Sequence, residues 1–155
     1  MKVSSTKEIN ELSNSEIFKG LSEDELGEIS ERSRIEHYER DEIIVREGEP
    51  SDRLFLIING IVTVKKILKS GPDQVYAYLM PGNTFGEVGI LENKPRSASV
   101  TALSDVDLVV FQRADFVELL RKYPQVSIGL AKLLGRYLTE SNKRLSRGNK
   151  ERKVV

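Results

Sequence analysis

No cysteine occurs in the 155 residues, and histidine occurs once. The first absence removes disulfides and thiolate zinc sites, as suits a reducing compartment. The second removes the two or three histidines with which β-barrel enzymes hold a metal, and with them metal-dependent phosphodiester hydrolysis. His37 in "RIEHYERDEII" stands beside a strand start and reads as a surface or edge histidine. Charge of one sign is missing too: 24 basic and 24 acidic residues cancel. The chain as a whole therefore has no electrostatic pull toward nucleic acid or membrane. No apolar run approaches the roughly 18 residues of a spanning helix, and "MKVSSTKEINELSNS" lacks the apolar core of a signal peptide. These absences set the expectation of a cytoplasmic protein with no metal, no cofactor and no membrane partner.

What is present is ordinary in amount and specific in pattern. A hydrophobic share of 39% beside 31% charged residues fits one folded domain with a single sizeable core. "EINELSNSEIFKG" reads as a loose helical piece with Ile9, Leu12, Ile17 and Phe18 apolar. "LSEDELGEISERS" follows as a short helix, with Ser22 as N-cap, Glu25 completing a capping box, and Leu21, Leu26 and Ile29 on its apolar side. From about residue 35 the period shortens. "EIIVREGEPSD", "RLFLIINGIVTVKKIL", "QVYAYLMPGNTFG", "SASVTAL" and "VDLVVFQ" read as short strands, with turns at Gly48, "KSGPD" and Pro81-Gly82. Asn59-Gly60, between two apolar runs, predicts a hairpin. Close spacing of such strands predicts a jelly roll or barrel. Helix returns in "ADFVELLRKYP", which places Phe116, Leu119 and Leu120 on one side before Pro124 stops or restarts it. In "QVSIGLAKLLGRYLTESNKRL", Ala131, Leu134, Leu138, Ser141 and Leu145 form one stripe, expected to pack on the roll or on a second subunit.

The segment "FGEVGILENKPRSASV" carries the chemistry. Gly86 lets backbone approach a ligand, and "EVGILE" can form a short helix whose first N–H groups favour an anion. Arg96 adds the fork that suits phosphate oxygens, with the Ser97 and Ser99 hydroxyls beside it. Glu87 cannot face phosphate, so its partner is a hydroxyl, for which an ionised carboxylate is an acceptor. Acid for a sugar and base for a phosphate describe a nucleotide holding both groups close together. The chain has no GxxxxGK[ST] loop for a linear triphosphate.

Phe85-Gly86-Glu87-Val88-Gly89-Ile90 followed by Pro95-Arg96-Ser97-Ala98-Ser99-Val100 resembles the phosphate-binding cassette of cyclic-nucleotide-binding domains. These are the modules of catabolite activators, cyclic-nucleotide-dependent kinases and cyclic-nucleotide-gated channels. "IVREGEPSDRLFLIINGIVTV" is similar to that family's first strands, and the likeness runs from about residue 16 to 145. It implies a mainly β fold, a cupin-like β-roll (jelly roll) with N-terminal helices and a C-terminal helix pair. The implied division is a helical lead over 1–15, a binding domain over 16–145 and a basic tail over 146–155. Within the domain the roll takes about 35–112 and the C-terminal helices about 113–145.

By the same resemblance Glu87 binds the ribose 2′-hydroxyl and Arg96 the cyclic phosphate. Phe85, Gly86, Val88, Ser97 and Ala98 complete the cassette. Val64 and Tyr76 line the base pocket, with Ser141, Asn142 and Arg144 from the last helix against the purine. Ser97, where bacterial activators also carry Ser, favours cAMP over cGMP as the ligand. The implied role is a regulatory sensor, not an enzyme, in which capture by the cassette moves the C-terminal helix. That helix is the expected contact with a protein partner or a homodimer mate. Only about ten residues follow Leu145, so no helix-turn-helix and no specific DNA binding are expected, and the initial Met favours a free-standing sensor. The alternative is a roll with an empty pocket that serves as an interaction or dimerisation module.

Overall fold

The computed structural model describes residues 6–151, with side chains described over 7–146. Two helices lead into the strands: α1 spans Thr6–Asn14 and α2 spans Glu23–Ser30. The α2 capping box forms as expected. The Glu25 N–H donates to Ser22 Oγ at 3.2 Å, and the Ser22 N–H donates to Glu25 Oε1 at 3.0 Å. Ile17 and Phe18 lie in the turn after α1, not on the helix, and both are fully buried with Leu12.

The strands are β1 (Ser33–Tyr38), β2 (Ile43–Val45), β3 (Arg53–Asn59), β4 (Val62–Lys66), β5 (Gln74–Leu79), β6 (Thr84–Phe85), β7 (Ser99–Ala102) and β8 (Val106–Gln112). A short helix, α3 (Glu87–Glu92), interrupts them between β6 and β7. One sheet has the order β1-β8-β3-β6 and the other β2-β7-β4-β5, antiparallel throughout. First pairs with eighth, second with seventh, third with sixth and fourth with fifth: the molecule is a jelly roll, mainly β with flanking helices.

The nested pairing overturns one expectation. Asn59-Gly60 does not close a hairpin, because β3 pairs with β6 and β8 while β4 pairs with β5 and β7. The dipeptide is a corner where the chain crosses from one sheet to the other. Gly60 is needed there for more than its φ of 86°, since a Cβ would stand 2.2 Å from the Asp105 carbonyl oxygen.

Alternation along β3 builds two cores. Phe55 and Ile57 point between the sheets, to Val62, Phe85, Val100, Leu108 and Val110. Leu54, Leu56 and Ile58 point outward into a second cluster with Leu12, Phe18, Ile29, Phe111 and Phe116. The run "LFLII" is apolar throughout because this strand is covered on both faces.

After β8 come α4 (Arg113–Lys122) and α5 (Pro124–Glu151). Pro124 opens α5, where its missing N–H costs nothing. The side of α5 that docks on the core carries Val126, Gly129, Leu130 and Leu133. The stripe read from the sequence lies elsewhere. Leu134 is partly packed, but Ala131, Leu138, Ser141 and Leu145 are exposed, Leu138 by 64% and Leu145 by 65%. This helix has two apolar sides, and a period of 3.6 does not say which of them meets the roll. Residues 146–151 continue the helix; residues 152–155 of the basic tail lie outside the described residues. No helix among the described residues is long and apolar enough to cross a membrane.

Candidate functional site

A cleft of about 580 Å³ opens between α3 with the 95–98 segment, the β4–β5 pair, and the far part of α5. That size lies in the range of small-molecule sites. Its walls gather Val64, Tyr76, Phe85, Gly86, Glu87, Val88, Arg96, Ser97, Ala98, Ser141 and Arg144. Asn142 is not among the lining residues, because it sits about 100° further round α5 than Ser141.

Phe85 forms the floor, stacked on Phe55 with ring centroids 4.6 Å apart and an interplanar angle of 12°. Gly86 follows at φ 97°, and a Cβ there would meet both the Arg53 carbonyl oxygen and Arg96 Nη1 at 2.7 Å. Only glycine lets α3 start this close to the arginine. Glu87, the first residue of α3, is 4% exposed with its Oε2 unpaired. Burial pushes its carboxyl pKa up, opposed by hydrogen bonding from its own backbone, Tyr137 and Thr84 and by the charge of Arg96. Val88 is exposed at the mouth.

Arg96 is 7% exposed and tightly framed. Its Nη2 donates to the Arg53 carbonyl at 2.7 Å and its Nη1 to the Gly86 carbonyl at 3.3 Å. Its backbone N–H donates to Glu49 O and its carbonyl accepts from Gly48 N, both at 2.8 Å. Burial lowers its pKa, with Asp52 and Glu87 acting against that and Arg53 adding to it. An arginine nonetheless stays charged. Its Nε has no partner. Ser99, by contrast, is turned to structure: its Oγ accepts from the Glu47 N–H at 3.0 Å.

Three buried side-chain atoms without a hydrogen-bond partner therefore belong to residues of this one cleft: Glu87 Oε2, Arg96 Nε and Ser51 Oγ. Buried polar groups are almost always paired, so an acceptor and two potential donors left open in one cleft mark a binding site for a polar ligand.

Sequence reasoning missed Ser51, Tyr137 and Glu140, which also line the cleft. Tyr137 was within reach of it: it precedes Ser141 by four residues and Arg144 by seven, the spacing of one helix side. The Tyr137 ring is exposed, but its hydroxyl faces the Glu87 carboxylate, and partial desolvation of that end together with the charge raises its pKa. Ser51 carries no sequence signal beyond a turn. No group of three or more potential metal ligands forms among the described residues.

The family described as cyclic nucleotide-binding domain matches residues 35–123. The "Cyclic AMP receptor protein" of Thermus thermophilus is 32% identical over 128 residues, covering 83% of this chain and 59% of that protein. The crystal structure of the Thermus thermophilus catabolite activator protein superposes with a TM-score of 0.79 at 32% identity, over 85% of this chain and 62% of that one. A cyclic nucleotide-binding domain from Methylobacillus flagellatus superposes with a TM-score of 0.79 at 27% identity, over 95% of this chain and 88% of that one. The chain thus spans about three fifths of the curated receptor protein it resembles.

Proposed function

Because the chain belongs to the cyclic nucleotide-binding domain family, we propose that it is a regulatory module that binds cAMP, with cGMP as the weaker ligand. The observation that carries this reading is the pairing of a buried open acceptor, Glu87 Oε2, with a buried open donor, Arg96 Nε, in one cleft. A cyclic nucleotide presents a ribose hydroxyl and an anionic phosphate within a few atoms of each other. The hydroxyl donates to Glu87 and the phosphate accepts from Arg96, while Gly86 leaves room for the close approach. Ser97 and Ala98 flank the phosphate. Val64 and Tyr76 provide apolar wall for the base, and Ser141 and Arg144 cap it from α5.

Ligand capture is coupled in this reading to the position of α5, since Tyr137 reaches from that helix to the carboxylate that holds the ribose. A ligand that prefers one α5 position tenfold shifts the balance by about 1.4 kcal/mol. The role is binding, not catalysis, and needs no DNA contact. Calorimetric titration of cAMP and of cGMP into the chain and its Arg96→Ala variant tests it. We expect binding that is tighter for cAMP and is weakened in the variant by about 2–5 kcal/mol. No heat with either nucleotide overturns the reading.

A second reading rests on a separate observation, the exposed apolar stripe of Ala131, Leu138 and Leu145. Its heptad spacing fits a second copy of α5, making the module a homodimer. Sedimentation equilibrium of the chain and of Leu138→Glu checks this: the variant is then a monomer at concentrations where the parent is a dimer.

A further inference from the structure

We propose that Ser51 is an additional phosphate-contacting residue of the cleft, its hydroxyl donating to one exocyclic oxygen of the cyclic phosphate. This rests on the cyclic-nucleotide reading of the site. Ser51 lies in "GEPSD", in the loop before β3 and outside the 85–100 segment. It is 7% exposed, it lines the cleft, and its Oγ has no hydrogen-bond partner.

Its neighbours fix where the hydroxyl sits. Two residues before it, the Glu49 carbonyl accepts the Arg96 N–H at 2.8 Å; two residues after it, the Arg53 carbonyl accepts Arg96 Nη2 at 2.7 Å. Ser51 is thus held between two loop positions that both grip Arg96. From the other side it abuts α3. A Cβ on Gly89 would stand 2.1 Å from Ser51 Oγ and 2.6 Å from Ser51 Cβ. The hydroxyl lies against α3, in the cleft that Arg96 also lines, and the anionic end of the ligand belongs beside both. Glycine at position 89 is what makes room for the Ser51 side chain against α3.

The chemistry is complementary. A buried hydroxyl without a partner is costly, so the chain leaves it to be satisfied from outside. Arg96 Nε, open in the same cleft, can only donate, and a hydroxyl can donate as well. An anionic ligand oxygen satisfies donors of both kinds. Glu87 Oε2, which can only accept when ionised, takes the neutral hydroxyl end of the same molecule.

The test is calorimetry on the full chain and on Ser51→Ala with three probes: cAMP and the two phosphorothioate diastereomers of cAMP, in which sulfur replaces one or the other exocyclic oxygen. Sulfur is a poor acceptor. We expect Ser51→Ala to weaken cAMP, and the diastereomer that keeps oxygen at Ser51, by roughly tenfold. The diastereomer that places sulfur there loses little, so the affinity ratio of the pair changes several-fold. A loss shared equally by all three probes assigns Ser51 a structural role and overturns the proposal. Unchanged affinities overturn it too, since water is then the partner of the hydroxyl. A parent chain that binds none of the probes instead removes the cyclic-nucleotide reading on which the proposal rests. Ser51→Gly enters the same assay if the alanine variant does not fold.

Discussion

The two halves of α5 belong to one continuous helix but meet opposite surroundings. From Val126 to Leu133 it presses Val126, Leu130 and Leu133 into the core, and Gly129 lies so close to the 15–20 turn that a Cβ would stand 2.5 Å from the Glu16 carbonyl oxygen. From Gly135 to Ser146 every residue is exposed. Yet the cleft takes Tyr137, Glu140, Ser141 and Arg144 from this second half. The first half is fixed by packing whatever the cleft contains. The second half is held by contacts with the cleft, by the ion pair of Arg136 Nη2 with Glu16 Oε2 at 3.1 Å, and by whatever covers its apolar stripe. In the function proposed above, a helix anchored at one end and more lightly held at the other would carry a small change beside Glu87 into a displacement of its far turns.

The largest effect is expected in the anchored half. Leu130→Ala should lower global stability by about 2–5 kcal/mol, read from urea unfolding. A loss near that from Leu138→Ala instead would mean that the halves had been assigned the wrong way round. Next comes the residue that the free half touches. Glu87→Gln should weaken cAMP binding by roughly 1.5–3 kcal/mol, less than Arg96→Ala does. Its effect on stability has the opposite sign. Burial raises the folded-state pKa of Glu87 above its ordinary 4.5, so its contribution to stability is complete below that value and is lost as pH rises through the folded value. At neutral pH, above that ordinary value, burial of this carboxyl therefore costs stability. Thermal unfolding should find Glu87→Gln more stable than the parent near neutrality, with the advantage gone in acid.

Tyr137→Phe sharpens the link between the halves. It should weaken cAMP by about 0.5–1.5 kcal/mol, and because hydrogen bonding from Tyr137 lowers the Glu87 pKa, binding should fail at a higher pH on acidification. Calorimetry across a pH series reads both effects, and an unshifted pH profile would disconnect α5 from the carboxylate. The smallest effect is that of Leu138→Ala on the unfolding free energy of the monomer, expected within about 0.5 kcal/mol.

What the sequence discloses follows contiguity. Phe85, Gly86, Glu87 and Arg96 sit in one short stretch, so their residue types and spacing already imply a sugar-and-phosphate chemistry, and the structure sets them along one cleft. The strands are legible from alternation and turn chemistry, and so is the roll as a class. Their partners are not. Asn59-Gly60 has the composition of a hairpin turn, but pairing is decided by which apolar faces must meet across the whole chain, and here β3 and β4 go to different sheets. Ser51 and Tyr137 reach the cleft only through tertiary closure, one from a loop bound to the Arg96 backbone and one from a distant helix. The docking side of α5 is hidden for the same reason.

The nested strand pairing also sets a clock. Among the described residues, only β4 and β5 are neighbours both in sequence and in a sheet, joined through the turn that contains Gly71; every other ladder there closes over a longer loop, up to Ser33 opposite Phe111. Each outer pair must wait for an entropic search that the inner hairpin avoids. A roll wound this way should assemble from its middle outward, in milliseconds to seconds rather than microseconds. Gly71, held at φ 86° in open space, then becomes a kinetic residue. Replacing it should retard refolding more than it hastens unfolding, whereas a change at the β1 edge should do the reverse.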